Sequence, residues 1–235
     1  MKPSCLSLPL HNEESIIMKP LVDVHMLTMD EPEEWRQTCL KSLQTAPIEL
    51  HILPGIPGGL GQARVNGYTM GNLPYVSFVD PDDIYVPEVY AKLVEKLESC
   101  PKAVLAYTNE ARVDQYGKVL GYRNASYDKL RHFKEPAHVH GVIVMRRSAV
   151  EKHLLNIACL PNHADWVLTL LLAQDGCMIH LPIVGRYWRQ HPHQSHDKKD
   201  SLSYKVTRQL LRQMLARTSS QIYDSRCVCK MSGFK

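Results

Sequence analysis

Three carboxylates stand close together in the sequence, at Asp80, Asp82 and Asp83, directly after an apolar stretch. Held this close, carboxylates repel one another unless a cation lies among them. Mg²⁺ and Mn²⁺ prefer one or two carboxylates together with phosphate and water oxygens. The motif therefore predicts a divalent-metal site that handles a phosphorylated substrate. The alternative is an acidic turn that caps the following helix, and Pro81 suits such a turn.

The residues around this motif alternate between strand and helix patterns. Apolar runs and alternation predict strands at residues 21–28, 48–53, 75–79 and 104–108. Helical spacing predicts helices at residues 30–44, 62–68 and 87–99. This order predicts the α/β class, with a mixed, mostly parallel sheet flanked by helices. The acidic motif then follows the carboxyl end of a strand, where open α/β sheets bind ligands.

The second half of the chain is less regular. We predict a hairpin turn at 114–117 leading into a strand at 119–122, a strand at 138–145, a short helix capped by Ser148, a helix at 165–174 closed by Gly176, and one or two strands over 178–188. The expected organisation is a weakly ordered lead-in at 1–19, one domain at 20–197, and a basic helix and tail at 198–235.

Composition narrows the class of protein. The 235 residues are 44% hydrophobic and 22% charged, with a net charge of +4, which is ordinary for a globular chain. The longest apolar run, at 166–173, is shorter than the roughly 18–20 residues of a membrane span. The first 15 residues lack the apolar core of a signal peptide, and the cysteines form no disulfide framework pattern. We expect a cytoplasmic protein, or one of the host cytoplasm if the chain is viral.

The segment GQARVNGY at 61–68, the order of the elements and the acidic motif together resemble the nucleotide-sugar glycosyltransferases of the GT-A fold, family 2, over residues 21–196. The resemblance implies a GT-A fold and a nucleoside diphosphate sugar as donor. It implies that Asp80 and Asp82 hold the metal and the ribose, with Asp83 as a further metal ligand. Arg64 would contact the diphosphate or the nucleoside, and a surface salt bridge is the alternative for this arginine.

The resemblance to the family is weaker at the residues that would bind the nucleoside. Thr28 and Asp30 match the family's positions for the base and ribose, although Asp30 is equally suited to capping the next helix. The family has carboxylates after its second strand that read the base, whereas this chain has HILPG at 51–55. Base recognition is therefore altered, and UDP is only the default nucleotide.

The resemblance also implies a base and a closing segment. Asp165 occupies the place of the aspartate that removes the proton from the acceptor hydroxyl, and a first-turn helix residue is the alternative. Arg189 would meet phosphate, and His191 or His193 would complete the metal site. Imidazole suits Mn²⁺ better than Mg²⁺. The alternative for the histidines is a solvated polar loop.

We therefore expect a metal-dependent glycosyltransferase that works with inversion on an acceptor hydroxyl. The acceptor could be a glycan, a lipid-linked sugar, or a hydroxymethylated DNA base as in viral DNA-modifying transferases. The basic segment at 198–217 would dock on an anionic surface of lipid or nucleic acid. A non-catalytic nucleotide-binding module of the same fold is the alternative. A nucleotidyltransferase is disfavoured, because the loop at 29–34 is acidic.

Overall fold

The computed structural model describes residues 19–192 together with residues 194, 205, 208, 209 and 212. The predicted lead-in up to residue 18, His193, and nearly all of the predicted basic helix and tail lie outside the described residues. None of the described helices combines the length and the apolar character that crossing a membrane requires.

Strands and helices alternate through the first half of the described chain, as the sequence predicts. The elements are β1 (Val22–Thr28), α1 (Glu33–Leu43), β2 (Ile48–Pro54), α2 (Leu60–Tyr68), β3 (Tyr75–Val79), β4 (Ile84–Tyr85), α3 (Val89–Glu98), β5 (Ala103–Asp114), β6 (Val119–Arg123), α4 (Lys129–Lys134), β7 (Ile143–Arg146), α5 (Arg147–Val150), a 3₁₀ turn (Glu151–His153), α6 (Leu154–Ile157), α7 (Ala164–Asp175) and β8 (Cys177–Gln190).

The strands form one mixed sheet in the order β2-β1-β3-β7-β5-β8-β4, and β6 pairs with β5. β1 is parallel to β2 and β3, and β5 is parallel to β8. Because β7 is antiparallel to both β3 and β5, those two strands run in the same direction. The carboxyl ends of β1, β2, β3, β5 and β8 therefore meet at one edge of the sheet.

Each face of the sheet carries a layer of helices over its own apolar core. The alternate β1 residues Val22, Val24 and Met26 pack with α1 and α3 on one face. The other core joins α2 to α5, α6 and α7 over β3, β5 and β7. The strand period of two thus leaves the intervening β1 residues, Asp23 and His25, on the face covered by α2.

Two predictions from the second half are wrong in detail, and one strand from the first half is longer than predicted. The strand expected at 138–145 begins only at Ile143, because the chain turns at Gly141, whose φ is +79°. A side chain there would lie 2.6 Å from the Thr108 carbonyl oxygen, so glycine allows this close approach to β5. Ser148 does not cap the short helix, since α5 already begins at Arg147. The strand expected at 104–108 continues to Asp114, because its polar half pairs with β6 and β8.

Candidate active site

The predicted site residues collect at the edge where the parallel strands end. Asp80 directly follows β3, Arg64 lies in α2, Asp165 lies in the first turn of α7, and Arg189 stands near the end of β8. The acidic turn does not cap the following helix, because α3 begins several residues later at Val89 and β4 intervenes. The three carboxylates are therefore left for contacts within this edge.

Arg64 joins two of the predicted site carboxylates. Its Nη2 lies 3.0 Å from Asp80 Oδ1, and its Nε and Nη2 lie 2.9 and 3.2 Å from the two oxygens of Asp165. The guanidinium lies 4.1 Å from the centre of the Phe78 ring, and the residue is 3% exposed. Arg64 is thus a buried bridge between the acidic motif and α7, and the alternative of a surface salt bridge is wrong.

A buried histidine completes the set of groups around Arg64. The Nε2 of His25 lies 3.3 Å from Arg64 Nη1. Since arginine has only donors, His25 accepts this hydrogen bond with an unprotonated Nε2. Burial first, and then the charge of Arg64, lower the pKa of His25, which keeps the ring neutral. Gly67 lets α2 approach this ring, because a Cβ there would lie 2.3 Å from it.

The turn into α7 places Asp165 beside Arg64. His163, the residue before the helix, has a φ of 57° in the left-handed region that non-glycine residues seldom adopt. Such conformations cost on the order of 1 kcal/mol and are retained where the surroundings fix them. Burial raises the pKa of Asp165 and Arg64 opposes that rise, with a net increase above the ordinary aspartate value. A carboxylate of this kind is a stronger base than a solvated one.

Asp83 and Asp80 share a second buried arginine. Arg186 Nη1 lies 3.3 Å from Asp80 Oδ2 and 3.4 Å from Asp83 Oδ2, while its Nη2 lies 2.8 Å from Glu110. Arg186 is 2% exposed, and His140 also contacts its guanidinium. Burial works against ionisation of Asp80, but Arg64 and Arg186 hold its pKa below the ordinary value. Both oxygens of Asp80 are thus engaged by arginine.

Asp82 forms a different contact, with a histidine from the end of β8. Its Oδ2 lies 2.9 Å from His191 Nε2, and the His191 ring lies 4.7 Å from that of Trp35. The His191 side chain is 7% exposed, so the alternative of a solvated loop is wrong for this residue. Arg189 donates from its side chain to the carbonyl oxygens of Asp82 and Gln115. The structure therefore brings Asp82, His191 and Arg189 together.

The nucleoside end of the predicted site lies where β1 ends. The Thr28 hydroxyl donates to the Leu53 carbonyl oxygen at 3.3 Å, which ties β1 to β2. Asp30 is exposed, and α1 begins only after Pro32, so Asp30 does not cap this helix. The roles of Thr28 and Asp30 toward a base or ribose stay predictions.

Another group of possible metal ligands lies on β1 and β2. Within the part of the chain that the structure describes, ligand atoms of Asp23, Glu49 and His51 lie within 4.8 Å of one another. Asp23 is already engaged, however, at 2.6 Å by Arg147 and at 2.7 Å by the Leu73 backbone N–H. Its charge is therefore balanced inside the protein, and the group fits a cation less well than Asp82 with His191.

Sequence reasoning missed the residues that hold the predicted ones in place. His25, Glu110 and Arg186 are each 1–2% exposed, and each lies in a strand. One signal could have found them: a charged or imidazole side chain inside an apolar strand is buried only when it is paired. The sequence pattern does not identify the residue with which such a side chain is paired.

The profile of the glycosyl transferase family 2 matches residues 36–154 of the chain. Among curated proteins no match was found. The structure resembles TarS of S. aureus: a 1–349 fragment in complex with UDP-GlcNAc has a TM-score of 0.61 at 14% identity, and the same fragment alone has 0.52 at 15%. Full TarS has a TM-score of 0.50 at 14% identity.

The superpositions cover most of this chain but a smaller share of each TarS chain. The three superpositions cover 84%, 73% and 87% of this chain, but 67%, 60% and 44% of the TarS chains. The likeness establishes the fold, and the predicted GT-A fold class is confirmed. The family match covers more than half of the sequence, including Arg64 and the acidic motif. The chain therefore belongs to glycosyl transferase family 2 and has the GT-A fold of its glycosyltransferases.

Proposed function

We propose that the protein transfers a sugar from a nucleoside diphosphate donor to an acceptor hydroxyl, with inversion. The observation that carries this proposal is the Arg64 bridge, in which one guanidinium binds both Asp80 of the acidic motif and Asp165. Such an arrangement holds a donor-binding carboxylate and a base at a defined separation. The family to which the chain belongs supports the same reaction class.

The donor is proposed to be a UDP-sugar. The support is the TarS fragment, a structural neighbour that was solved with UDP-GlcNAc. Thr28 and Asp30 would meet the nucleoside, and Asp80 the ribose. Contacts of Arg64 and Arg189 with the diphosphate stay predictions, because both side chains already bind protein groups and are at most 5% exposed.

A divalent cation fits Asp82 and His191 best. Their facing oxygen and nitrogen are 2.9 Å apart, whereas Asp80 and Asp83 are engaged by Arg186 and, for Asp80, also by Arg64. An oxygen with an imidazole nitrogen suits Mn²⁺ better than Mg²⁺. When bound, the cation would neutralise negative charge on the departing diphosphate.

Asp165 is proposed as the base. Its carboxylate would accept the proton of the acceptor hydroxyl while that oxygen forms a bond to the anomeric carbon. The bond between this carbon and the donor phosphate oxygen breaks, and the electron pair leaves with the nucleoside diphosphate. A single displacement inverts the anomeric centre. Burial raises the pKa of Asp165 despite Arg64, which favours its taking a proton at neutral pH.

Thermal melting with nucleoside diphosphates and their sugars, each with Mn²⁺, Mg²⁺ or EDTA, tests this proposal. A ligand at 100 times its dissociation constant stabilises the folded state by about 2.7 kcal/mol, which gives a readable shift. We expect a shift with UDP or a UDP-sugar that needs Mn²⁺ and is lost in Asp82→Asn. Asp114→Asn, at the last residue of β5, is the matched control and should keep the shift. No shift with any nucleotide would contradict the proposal.

A further inference from the structure

Strand β2 is the first in the order of the sheet, so one of its two sides is an outer edge. Its pairing with β1 runs without a break from Ile48 to Pro54, and among the residues that the structure describes no strand pairs with its other side. The free side of a strand presents backbone N–H and C=O groups that another strand can bind. We call this side of β2, over Ile48–Pro54, the β2 edge.

Hydrogen bonds at the carboxyl end of β2 show which of its residues face outward. The Gly55 N–H donates to the Thr28 carbonyl oxygen at 2.7 Å, and the Leu53 carbonyl oxygen accepts from the Thr28 hydroxyl. The odd-numbered residues of β2 therefore direct their backbone groups toward β1. Successive residues of a strand direct these groups to opposite sides, so Leu50 and Ile52 direct theirs to the β2 edge.

The β2 edge lacks the features that usually protect an edge strand from pairing. Such features are lysine or proline within the strand, a bulge, or a covering element. The sequence IELHIL at 48–53 contains neither lysine nor proline, and the register with β1 shows no bulge over this strand. Ile52 is 53% exposed, although it lies inside the strand. The β2 edge is therefore open to pairing with a further strand.

The sequence of β2 is complementary to itself in one antiparallel register. When two copies pair about Leu50, Glu49 of each copy lies opposite His51 of the other. Ile48 then lies opposite Ile52, which covers the exposed isoleucine with an apolar neighbour. Pairing about Glu49 would set two carboxylates opposite each other, and pairing about His51 two imidazoles. Because like charges directly opposite destabilise a pair of strands and opposite charges stabilise it, the register about Leu50 is favoured.

Pairing about Leu50 also satisfies the outward backbone groups. The Leu50 N–H of each copy would donate to the Leu50 carbonyl oxygen of the other, and the Ile52 N–H to the Ile48 carbonyl oxygen of the other. The Ile48 N–H needs no partner in the second copy, because it already donates to the Ala46 carbonyl oxygen at 2.8 Å. The backbone geometry and the side-chain charges of β2 thus favour the same register.

We propose that two copies of the chain associate through the β2 edge, with their β2 strands antiparallel about Leu50, so that one sheet continues through both chains. Such a contact uses the same surface on both copies and closes with two-fold symmetry. The proposal does not depend on the transferase function, since none of the residues proposed to bind the donor or the cation, or to act as the base, lies in β2.

Sedimentation velocity and amide hydrogen exchange on the full chain, from low micromolar to near-millimolar concentration, test the proposal. We expect the mass to rise with concentration from that of one chain to that of two. The Leu50 and Ile52 amides, followed by NMR, should become protected from exchange over the same range of concentration. These two amides report on the β2 edge itself, because their N–H groups would form the hydrogen bonds between the copies.

Two variants and a matched control test the location and the register. Ile52→Lys places a charge on the β2 edge and should weaken association by about tenfold or more. Leu155→Lys adds the same charge in α6, at a position that is 90% exposed, and should leave association unchanged. Glu49→Lys removes the carboxylate that faces His51 of the second copy and should weaken association by about threefold or more. Since Glu49 is exposed, this variant also covers the case in which Ile52→Lys fails to fold.

A chain that stays monomeric at near-millimolar concentration would overturn the proposal. A dimer whose Leu50 and Ile52 amides exchange as fast as in the monomer would overturn the location, and so would a dimer that Ile52→Lys does not weaken. If Ile52→Lys weakens association but Glu49→Lys does not, the register about Leu50 is wrong. Protection of both amides in the monomer would assign the β2 edge to another segment of the same chain, which also contradicts the proposal.

Discussion

Replacing Asp165 by asparagine isolates its proposed role as the base, because the two side chains have nearly the same shape. The asparagine oxygen can still accept a hydrogen bond from Arg64, and Asp80 remains 3.0 Å from the same guanidinium. Arg64 therefore keeps one negative partner in the variant. The variant loses the ability to take a proton, together with one of the two contacts to Arg64.

The expected magnitudes for catalysis and for stability differ. Loss of a general base costs roughly 10²–10⁴ in kcat, which corresponds to about 2.7–5.5 kcal/mol in the activation free energy. Loss of one charge-assisted contact to a buried arginine lowers the free energy of unfolding by about 1–3 kcal/mol. Binding of the nucleotide should change little, because Asp82 and His191 are untouched.

The assay is release of UDP from a UDP-sugar with a hydroxyl-bearing acceptor, in Mn²⁺, over a range of pH. In the wild-type protein, burial raises the pKa of Asp165. As the solution is acidified, activity should therefore begin to fall at a higher pH than it would with a base of ordinary aspartate pKa. In Asp165→Asn the part of this acid limb that belongs to Asp165 should be lost, and the limb that remains should reflect Asp82, whose pKa is also raised by burial. The matched control is Asp175→Asn at the other end of α7, where the carboxylate pairs with His153 at 2.8 Å. It should keep full activity.

A kcat within about tenfold of wild type in folded Asp165→Asn would refute the assignment of the base, since the smallest expected loss is about a hundredfold. An acid limb that is the same in the variant as in the wild-type protein would also refute it. If Asp175→Asn lost as much activity as Asp165→Asn, the effect would belong to the helix as a whole.

Three further predictions concern other buried groups. His25→Leu removes the acceptor of Arg64 Nη1 and should lower kcat about tenfold in the same assay. His25→Gln keeps an acceptor oxygen, so its kcat should stay within about threefold of wild type. Equal losses of kcat in the two variants would contradict a positioning role for His25. Glu110→Gln weakens the buried contact of Arg186 and should lower the free energy of unfolding in urea by about 1.5–3 kcal/mol, and an unchanged midpoint would argue against it. Burial, and then His138, lower the pKa of His132 to about 3, so only the unfolded chain takes up this proton as the pH falls below 6.5. Stability should then decrease by about 1.4 kcal/mol per pH unit from this residue, a slope that His132→Gln should remove in acid-side urea titrations.

Local patterns were sufficient to predict the first half of the fold except for the two-residue strand β4 (Ile84–Tyr85). The strand predicted at 75–79 is β3, and the helix predicted at 87–99 contains α3 (Val89–Glu98). Both follow from the spacing of apolar residues that are near neighbours in the chain, which is information that a single sequence contains. The position of Asp80 after a strand, and hence at the binding edge of the sheet, follows in the same way.

Local sequence patterns gave wrong predictions where contacts with distant parts of the chain set the backbone conformation. At 138–145 the apolar and histidine alternation predicted a strand, but Gly141 turns the chain against β5 and the strand begins five residues later. β5 extends into a polar stretch because β6 and β8 supply hydrogen bonds on both of its edges. The pairing with β8 involves residues that are distant from β5 in the sequence, so a local pattern does not contain it.

The sequence by itself determined the family, the order of the elements in the first half, and the acidic motif with the base expected at Asp165. The tertiary structure decided which charges meet. Arg64 and Asp165 are 101 residues apart, and Asp80 and Arg186 are 106 apart. A buried charge is stable only beside an opposite one, but the sequence does not encode that partner locally. It is selected when α2, α7 and β8 pack against the same edge of the sheet.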